Sequence, residues 1–360
     1  MVVGIMSMQK IHNYGSFLQA YALKKIIESM GHKVVFVDYH FEKSLVMKKE
    51  SFLNKIIRNI NILKFIKKRL MSKKYNKRFD QEFIPFLYSD NGNEKIEFLV
   101  IGSDEVFNCL QEYPVGYSRE LFGYHYENIP VISYAASFGQ TNYEKLKEYG
   151  IEKGIGNLLK NFQSISVRDK NSFETIKKLT DIEPVYNLDP VLIYDYSEYI
   201  NNFDDIDIDN YIILYAYPGR LTNQEEKCIK KFAKNHNKKI VSFGMYQKIS
   251  DLEIVVSPFE IFKYFKKADF IITDTFHGSI FSIKTHSNFV TLIRNNSSGN
   301  ANKLFDLLSR LELKNRIINS IEDLEYFYKT PAKFDKADKI IVNEQKKAKK
   351  YLKNNIKESD

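Results

Sequence analysis

Short runs rich in Val, Ile and aromatic residues recur along this chain with longer amphipathic stretches between most of them. That alternation constrains the fold more than any other feature. "VVGIM", "KVVFVDY", "FLVIG", "VISYAAS" and "SISVRD" read as buried strands. Strands separated by helical patterns predict parallel sheets with helices on both faces. A second series, "YIILYAY", "KIVSFG", "DFIITD" and "FVTLI", follows an acidic stretch, Tyr194 to Asn210, that is poor in long apolar runs. The sequence therefore divides into a first doubly wound α/β domain at 1–193, a linker at 194–210, a second α/β domain at 211–332 and a Lys-rich helix at 333–360. With 360 residues and 44 % hydrophobic content, the chain has enough apolar material for two cores.

The net charge of +9 has one source. Residues 43–78 hold 13 Lys and Arg against a single acid, Glu50, while the rest of the chain has 41 basic and 44 acidic side chains. Within this segment Phe52, Ile56, Ile60 and Leu63 recur at helical spacing with cations between them. Such a helix can lie on an anionic membrane surface, or it can pack its apolar face on the domain and leave the charges solvated. Nucleic acid is not expected, since no recognised binding fold accompanies the charge. The two cysteines, Cys109 and Cys228, follow no metal-ligand spacing, so no metal and a reducing compartment are expected. No window approaches a membrane span and the N-terminus lacks a signal pattern, which points to a cytoplasmic protein, peripheral to the membrane if the basic helix docks there.

Four turns that follow strands carry candidate chemistry, where open α/β sheets place their ligands. In "HNYGSFLQAYALKKI", Asn13 and Gly15 can shape a turn into a helix N-terminus that offers N–H groups to an anion. In "IGSDEVFN", Gly102 and Ser103 allow close approach and Asp104 can accept a proton. Arg168 in "SVRDKNS" stands where it can clamp a phosphate or carboxylate. In "TDTFHGSIFS", Asp274, Thr275, His277 and Gly278 combine a carboxylate, a hydroxyl, an imidazole and an open approach. Each turn has a structural reading beside the functional one: aspartates at strand ends cap helices, and a histidine here can do the same.

Taken in order, "NYGSFLQAYAL", "GSDEVFN", "SYAASFG", "SVRD", "LDPVLI", "TDTFHGSIFSI" and "NKLFDLLSRLEL" resemble the polysaccharide pyruvyl transferase family over residues 3 to about 316. The resemblance implies a GT-B-like fold, two Rossmann-like domains facing across a cleft. It also implies transfer of the enolpyruvyl carbons of phosphoenolpyruvate to a sugar as a cyclic ketal, with no cofactor. The acceptor would belong to a surface polysaccharide or its lipid-linked precursor. The family's strand-end arginine falls on Arg168 and its cleft histidine on His277. Several members carry arginine two positions before that histidine, where this chain has Thr275; Arg294 in "TLIRNN" is a candidate replacement.

On this basis His277, Asp104 and Asp274 are the expected catalytic groups. Arg168, Asn13, Gly15, Gly102, Ser103, Thr275, Gly278 and Arg294 are the expected substrate contacts. His12 can touch a substrate from the first domain or be a plain loop residue. Tyr134, Ser137 and Phe138 can line the acceptor side or belong to the core. Two other readings stay open, a GT-B glycosyltransferase using a nucleotide sugar and a non-catalytic glycan-binding member of the family.

Overall fold

The structure is a computed structural model that describes residues 1–46, 62–92, 94–111, 116–201, 206–244, 246–293 and 299–357. The chain divides into two units. The first comprises residues 1–49, 84–194 and 341–360, and the second residues 50–83 and 195–340.

The first unit is built on six parallel strands among the described residues: β1 (Val2–Met6), β2 (Lys33–Phe36), β3 (Phe98–Asp104), β4 (Val131–Ala136), β5 (Ser166–Val167) and β6 (Val185–Tyr186). Their spatial order is β2-β1-β3-β4-β5-β6, all neighbours parallel. β3 and β4 are buried along their whole length, which is why they read as continuous apolar runs rather than alternating ones. Leu99, Ile101, Phe107, Phe122, Phe138 and Val167 are among the side chains of the core on this sheet.

The second unit repeats the plan with β7 (Tyr211–Tyr215), β8 (Lys239–Phe243), β9 (Leu252–Ile254), β10 (Phe270–Thr273), β11 (Phe289–Leu292) and β12 (Ile317–Ile318). Their order is β12-β11-β10-β7-β8-β9, again all parallel. Numbered within the unit, this is the 3-2-1-4-5-6 order of a dinucleotide-binding Rossmann fold. A separate core of Ile212, Leu214, Ile240, Phe270, Ile272 and Val290 supports it. Of the fold class expected from the sequence, the two doubly wound Rossmann-like units are what the chain contains.

Three segments differ from the sequence boundaries. Residues 50–83, which the sequence places in the first domain, group with the second unit. Part of the stretch read as a linker is packed rather than free: Tyr196 meets Phe262 at 4.7 Å and Tyr199 stacks on Phe259 at 4.4 Å between ring centroids. The helix Asp335–Asn355 runs from the second unit into the first. Asp338 meets His286 at 2.9 Å, and further along Gln345 Nε2 donates to the Ile193 carbonyl and Tyr351 Oη to the Ser133 carbonyl, both at 2.9 Å.

Candidate functional site

An open parallel sheet offers a ligand site where its strand order reverses, because neighbouring loops there diverge to opposite faces. In the first unit that point lies between β1 and β3. Asn13 caps the helix Tyr14–Glu28, its Oδ1 accepting the N–H groups of Gly15 at 2.7 Å and Ser16 at 3.3 Å. The N–H groups that the sequence offers to an anion are thus engaged by Asn13 itself. From the next turn, Gln19 ties the ends of both strands together. Its Nε2 donates to Ser7 Oγ at 2.8 Å and its Oε1 accepts from the Ser103 N–H at 3.1 Å.

Asp104 ends β3 with φ at +76°, a backbone region that residues with a Cβ seldom adopt and that must be held by its surroundings. What holds it is visible. Ser16 Oγ donates to Asp104 Oδ2 at 2.7 Å and Arg168 Nη2 reaches Asp104 Oδ1 at 2.8 Å. The other arm of the guanidinium, Nη1, reaches Asp189 Oδ2 at 2.7 Å. Burial alone would lower the Arg168 pKa, but the Asp104 and Asp189 carboxylates outweigh it and hold the group above the ordinary guanidinium value. Gly102 has φ +126°, and a Cβ there would lie 2.2 Å from the Tyr134 carbonyl oxygen, so close packing of β3 on β4 already demands glycine. Tyr134, Ser137 and Phe138 are fully buried. Ser137 Oγ donates to Asp169 Oδ2 at 2.6 Å, and Phe138 packs on Phe107 at 5.3 Å.

In the second unit the order reverses between β7 and β10, and the histidine motif leaves β10 at that point. Asp274 Oδ1 accepts the Tyr217 N–H at 3.0 Å, which joins the loops after the two strands. Thr273 Oγ1 donates to the Tyr215 carbonyl at 2.6 Å and accepts the Thr275 N–H at 3.1 Å. Thr275 is the N-cap of the helix Phe276–Lys284, with its Oγ1 accepting the Gly278 N–H at 2.9 Å. A Cβ on Gly278 would lie 2.2 Å from Thr273 Oγ1 and 2.6 Å from Thr275 Oγ1, so this glycine is required by the cap. The sequence reads it instead as keeping an approach open.

His277 is therefore the second residue of a helix whose start is fixed by four local hydrogen bonds. It is buried, lying edge-to-face with Phe276 at 5.5 Å and near Phe281 at 6.1 Å. A cation that the sequence reading does not single out lies beside the neighbouring Phe276: Lys303 Nζ lies 5.7 Å from the centroid of the Phe276 ring, and the residue is buried. The signal was available, since Lys303 shares a face of the helix Gly299–Arg310 with the buried Leu307. Asp189 and Ser16 are not legible for a different reason: they sit in recognisable motifs, but their partners are distant in sequence.

The structure brings together Asn13, Gly15, Gly102, Ser103, Asp104 and Arg168 in the first unit and Asp274, Thr275, His277 and Gly278 in the second. His12 is half-buried beside Asn13. Arg294 lies outside the described residues. Among the described residues no group of three or more His, Cys, Asp or Glu side chains is placed to hold a metal ion.

Comparison with known proteins gives one family and a set of distant folds. The model of the polysaccharide pyruvyl transferase family matches residues 13–297. No curated protein sequence matches the chain. Among solved structures, UDP-GlcNAc 2-epimerase from Neisseria meningitidis, bound to UDP-GlcNAc, is similar with a TM-score of 0.49 at 13 % identity, over 98 % of this chain and 100 % of that one. MurG from Acinetobacter baumannii is similar with a TM-score of 0.40 at 14 % identity, over 98 % of each chain.

Proposed function

The chain belongs to the polysaccharide pyruvyl transferase family, and we propose that it transfers the enolpyruvyl carbons of phosphoenolpyruvate to two hydroxyls of a sugar, forming a cyclic ketal. The acceptor is a sugar of a surface polysaccharide or of its lipid-linked precursor, met in the cytoplasm. The observation that carries this reading is the placement of His277 at the reversal of strand order in the second unit, fixed by the Thr273–Thr275 cap and next to Phe276, whose ring Lys303 approaches.

The chemistry asks for such a group. One sugar hydroxyl bonds to C2 of the donor while a proton adds to the methylene carbon, which becomes a methyl group. The second hydroxyl then displaces the phosphate from C2, and its proton leaves with the phosphate or to solvent. Histidine is the side chain suited to giving and taking these protons near neutral pH. Lys303 adds positive charge beside the turn, in keeping with a donor that carries two anionic groups. In the first unit, Arg168 is the expected anion-binding group. Because two carboxylates already engage it, an anion reaches it by exchanging with Asp104, whose carboxylate, still holding the Ser16 hydroxyl, can then accept a hydroxyl proton. Asp274, held by the Tyr217 N–H, acts in this reading by keeping the histidine turn in shape.

Thermal denaturation with phosphoenolpyruvate or with a UDP-sugar, added separately, tests the donor. A ligand that binds only the folded state, at free concentration L, stabilises it by RT ln(1 + L/Kd) and so raises the melting temperature as that concentration exceeds Kd. Stabilisation by phosphoenolpyruvate and not by the UDP-sugar is expected. The reverse result would replace this reading with a nucleotide-sugar glycosyltransferase, and no response to either would favour a non-catalytic member of the family.

A further inference from the structure

The helix Ile62–Arg78 carries eight Lys and Arg and no acid. Its packing face is settled by contacts. Tyr75 is buried with its ring against Gly244, so that a Cβ on that glycine would lie 2.3 Å from Tyr75 Cε2. Arg78 Nη1 donates to the Val255 carbonyl at 3.0 Å, and Tyr75 meets Phe79 at 4.8 Å. Positions 66, 70, 73 and 77, at i, i+4, i+7 and i+11, then form one stripe on the side away from Tyr75. Ile66 is 46 % and Leu70 63 % exposed, and Lys73, Lys77, Lys74 and Arg69 are exposed beside them.

We infer that this stripe docks on an anionic lipid surface. An isolated exposed leucine needs no explanation. Two large aliphatic side chains one turn apart, on a helix face whose charges are all positive, are different: that is the pattern of a helix lying in a membrane interface. The aliphatic pair enters the boundary between headgroups and acyl chains while the lysines meet acidic headgroups. A nucleic-acid strand would call for exposed aromatic rings to stack on, and the described rings of this segment, Tyr75 and Phe79, face inward. The sequence leaves open whether the basic segment packs on the domain or meets a membrane. Phe52, Ile56 and Ile60, on which that reading rests, lie outside the described residues, as does the Leu63 side chain; on the helix Ile62–Arg78 itself, Tyr75 packs while Ile66 and Leu70 are exposed on the opposite face. The inference stands apart from the reading of the reaction, because its test measures no turnover.

The chain contains no tryptophan, so Leu70→Trp provides a single fluorescent reporter on the stripe. With vesicles containing phosphatidylglycerol at low salt, the emission of this variant shifts to the blue and the protein sediments with the vesicles; with pure phosphatidylcholine it does neither. Raising the ionic strength shortens the screening length from about 30 Å at 0.01 M to about 8 Å at 0.15 M and weakens the binding. Lys73→Gln and Lys77→Gln each reduce partitioning about fivefold at low salt. Ile66→Ser with Leu70→Ser also weakens it, with every charge kept. Failure to bind phosphatidylglycerol vesicles at low salt overturns the inference. So does binding that ignores the Ile66 and Leu70 changes and is matched by single-stranded polyuridylate, which would mark the helix as a general polyanion site.

Discussion

An arginine at the end of a strand is visible in the sequence; the two carboxylates around it are not, because Asp104 lies 64 positions before Arg168 and Asp189 lies 21 after. Read alone, Arg168 is a solvent-facing clamp whose loss would spare the fold. In the structure it is buried between Asp104 and Asp189, and removing one partner of a buried ion pair leaves charge uncompensated. Arg168→Ala is therefore expected to lower stability by about 3–5 kcal/mol in urea denaturation, besides impairing donor binding. A loss below about 1 kcal/mol would mean that the guanidinium is not committed to these carboxylates. The same contrast applies to Gly102 and Gly278. Sequence marks both as special, but only coordinates reveal that the Tyr134 carbonyl and the Thr273 and Thr275 hydroxyls occupy the space a Cβ would need.

The helix Phe276–Lys284 carries a consequence at each end. Its start, Thr275 to Gly278, is legible as a cap followed by a glycine. Its last residue, Lys284, is not legible as unusual, although its environment is. Burial lowers the Lys284 pKa from 10.5 to about 8, against the attraction of Asp195 and Asp338. A lysine whose folded pKa is depressed burdens the folded state while it is charged. Below about pH 8 both states carry the proton; between about 8 and 10.5 the unfolded chain binds more, so the contribution of this group to stability rises with pH. Lys284→Met should remove that rise. The difference in unfolding free energy between parent and variant is then expected to change by up to about 1.4 kcal/mol per pH unit in this window. Parallel stability curves from pH 8 to 10 would contradict the assignment. The basic helix follows the same logic. Its charge is plain in the sequence, but which face packs is decided by Tyr75 meeting Gly244, far along the chain.

Across the whole molecule, the longer strands were legible because a buried parallel strand needs a run of apolar residues, as in β1, β3, β4, β7, β8, β10 and β11. The short strands β6, β9 and β12 were not, since two or three residues carry no period, whereas the two-residue β5 was read from the longer "SISVRD" around it. Grouping of residues 50–83 with the second unit was hidden for a related reason: order along the chain says nothing about which core a helix joins. The order of the motifs was informative because in both sheets the loops at the reversal of strand order supply the candidate residues, Ser16 and Asp104 in one and Asp274 to Gly278 in the other. The claim that most depends on this placement is that His277 moves a proton in ketal formation. It is tested by single-turnover reaction in deuterated water with phosphoenolpyruvate and a lipid-linked glycan acceptor, comparing the parent chain with His277→Asn. The parent should form a pyruvyl ketal whose methyl group carries one solvent deuteron. The variant should keep the stabilisation by phosphoenolpyruvate and lose about 10²–10⁴-fold in rate. A deuterated ketal formed by His277→Asn at close to the parent rate would contradict the account.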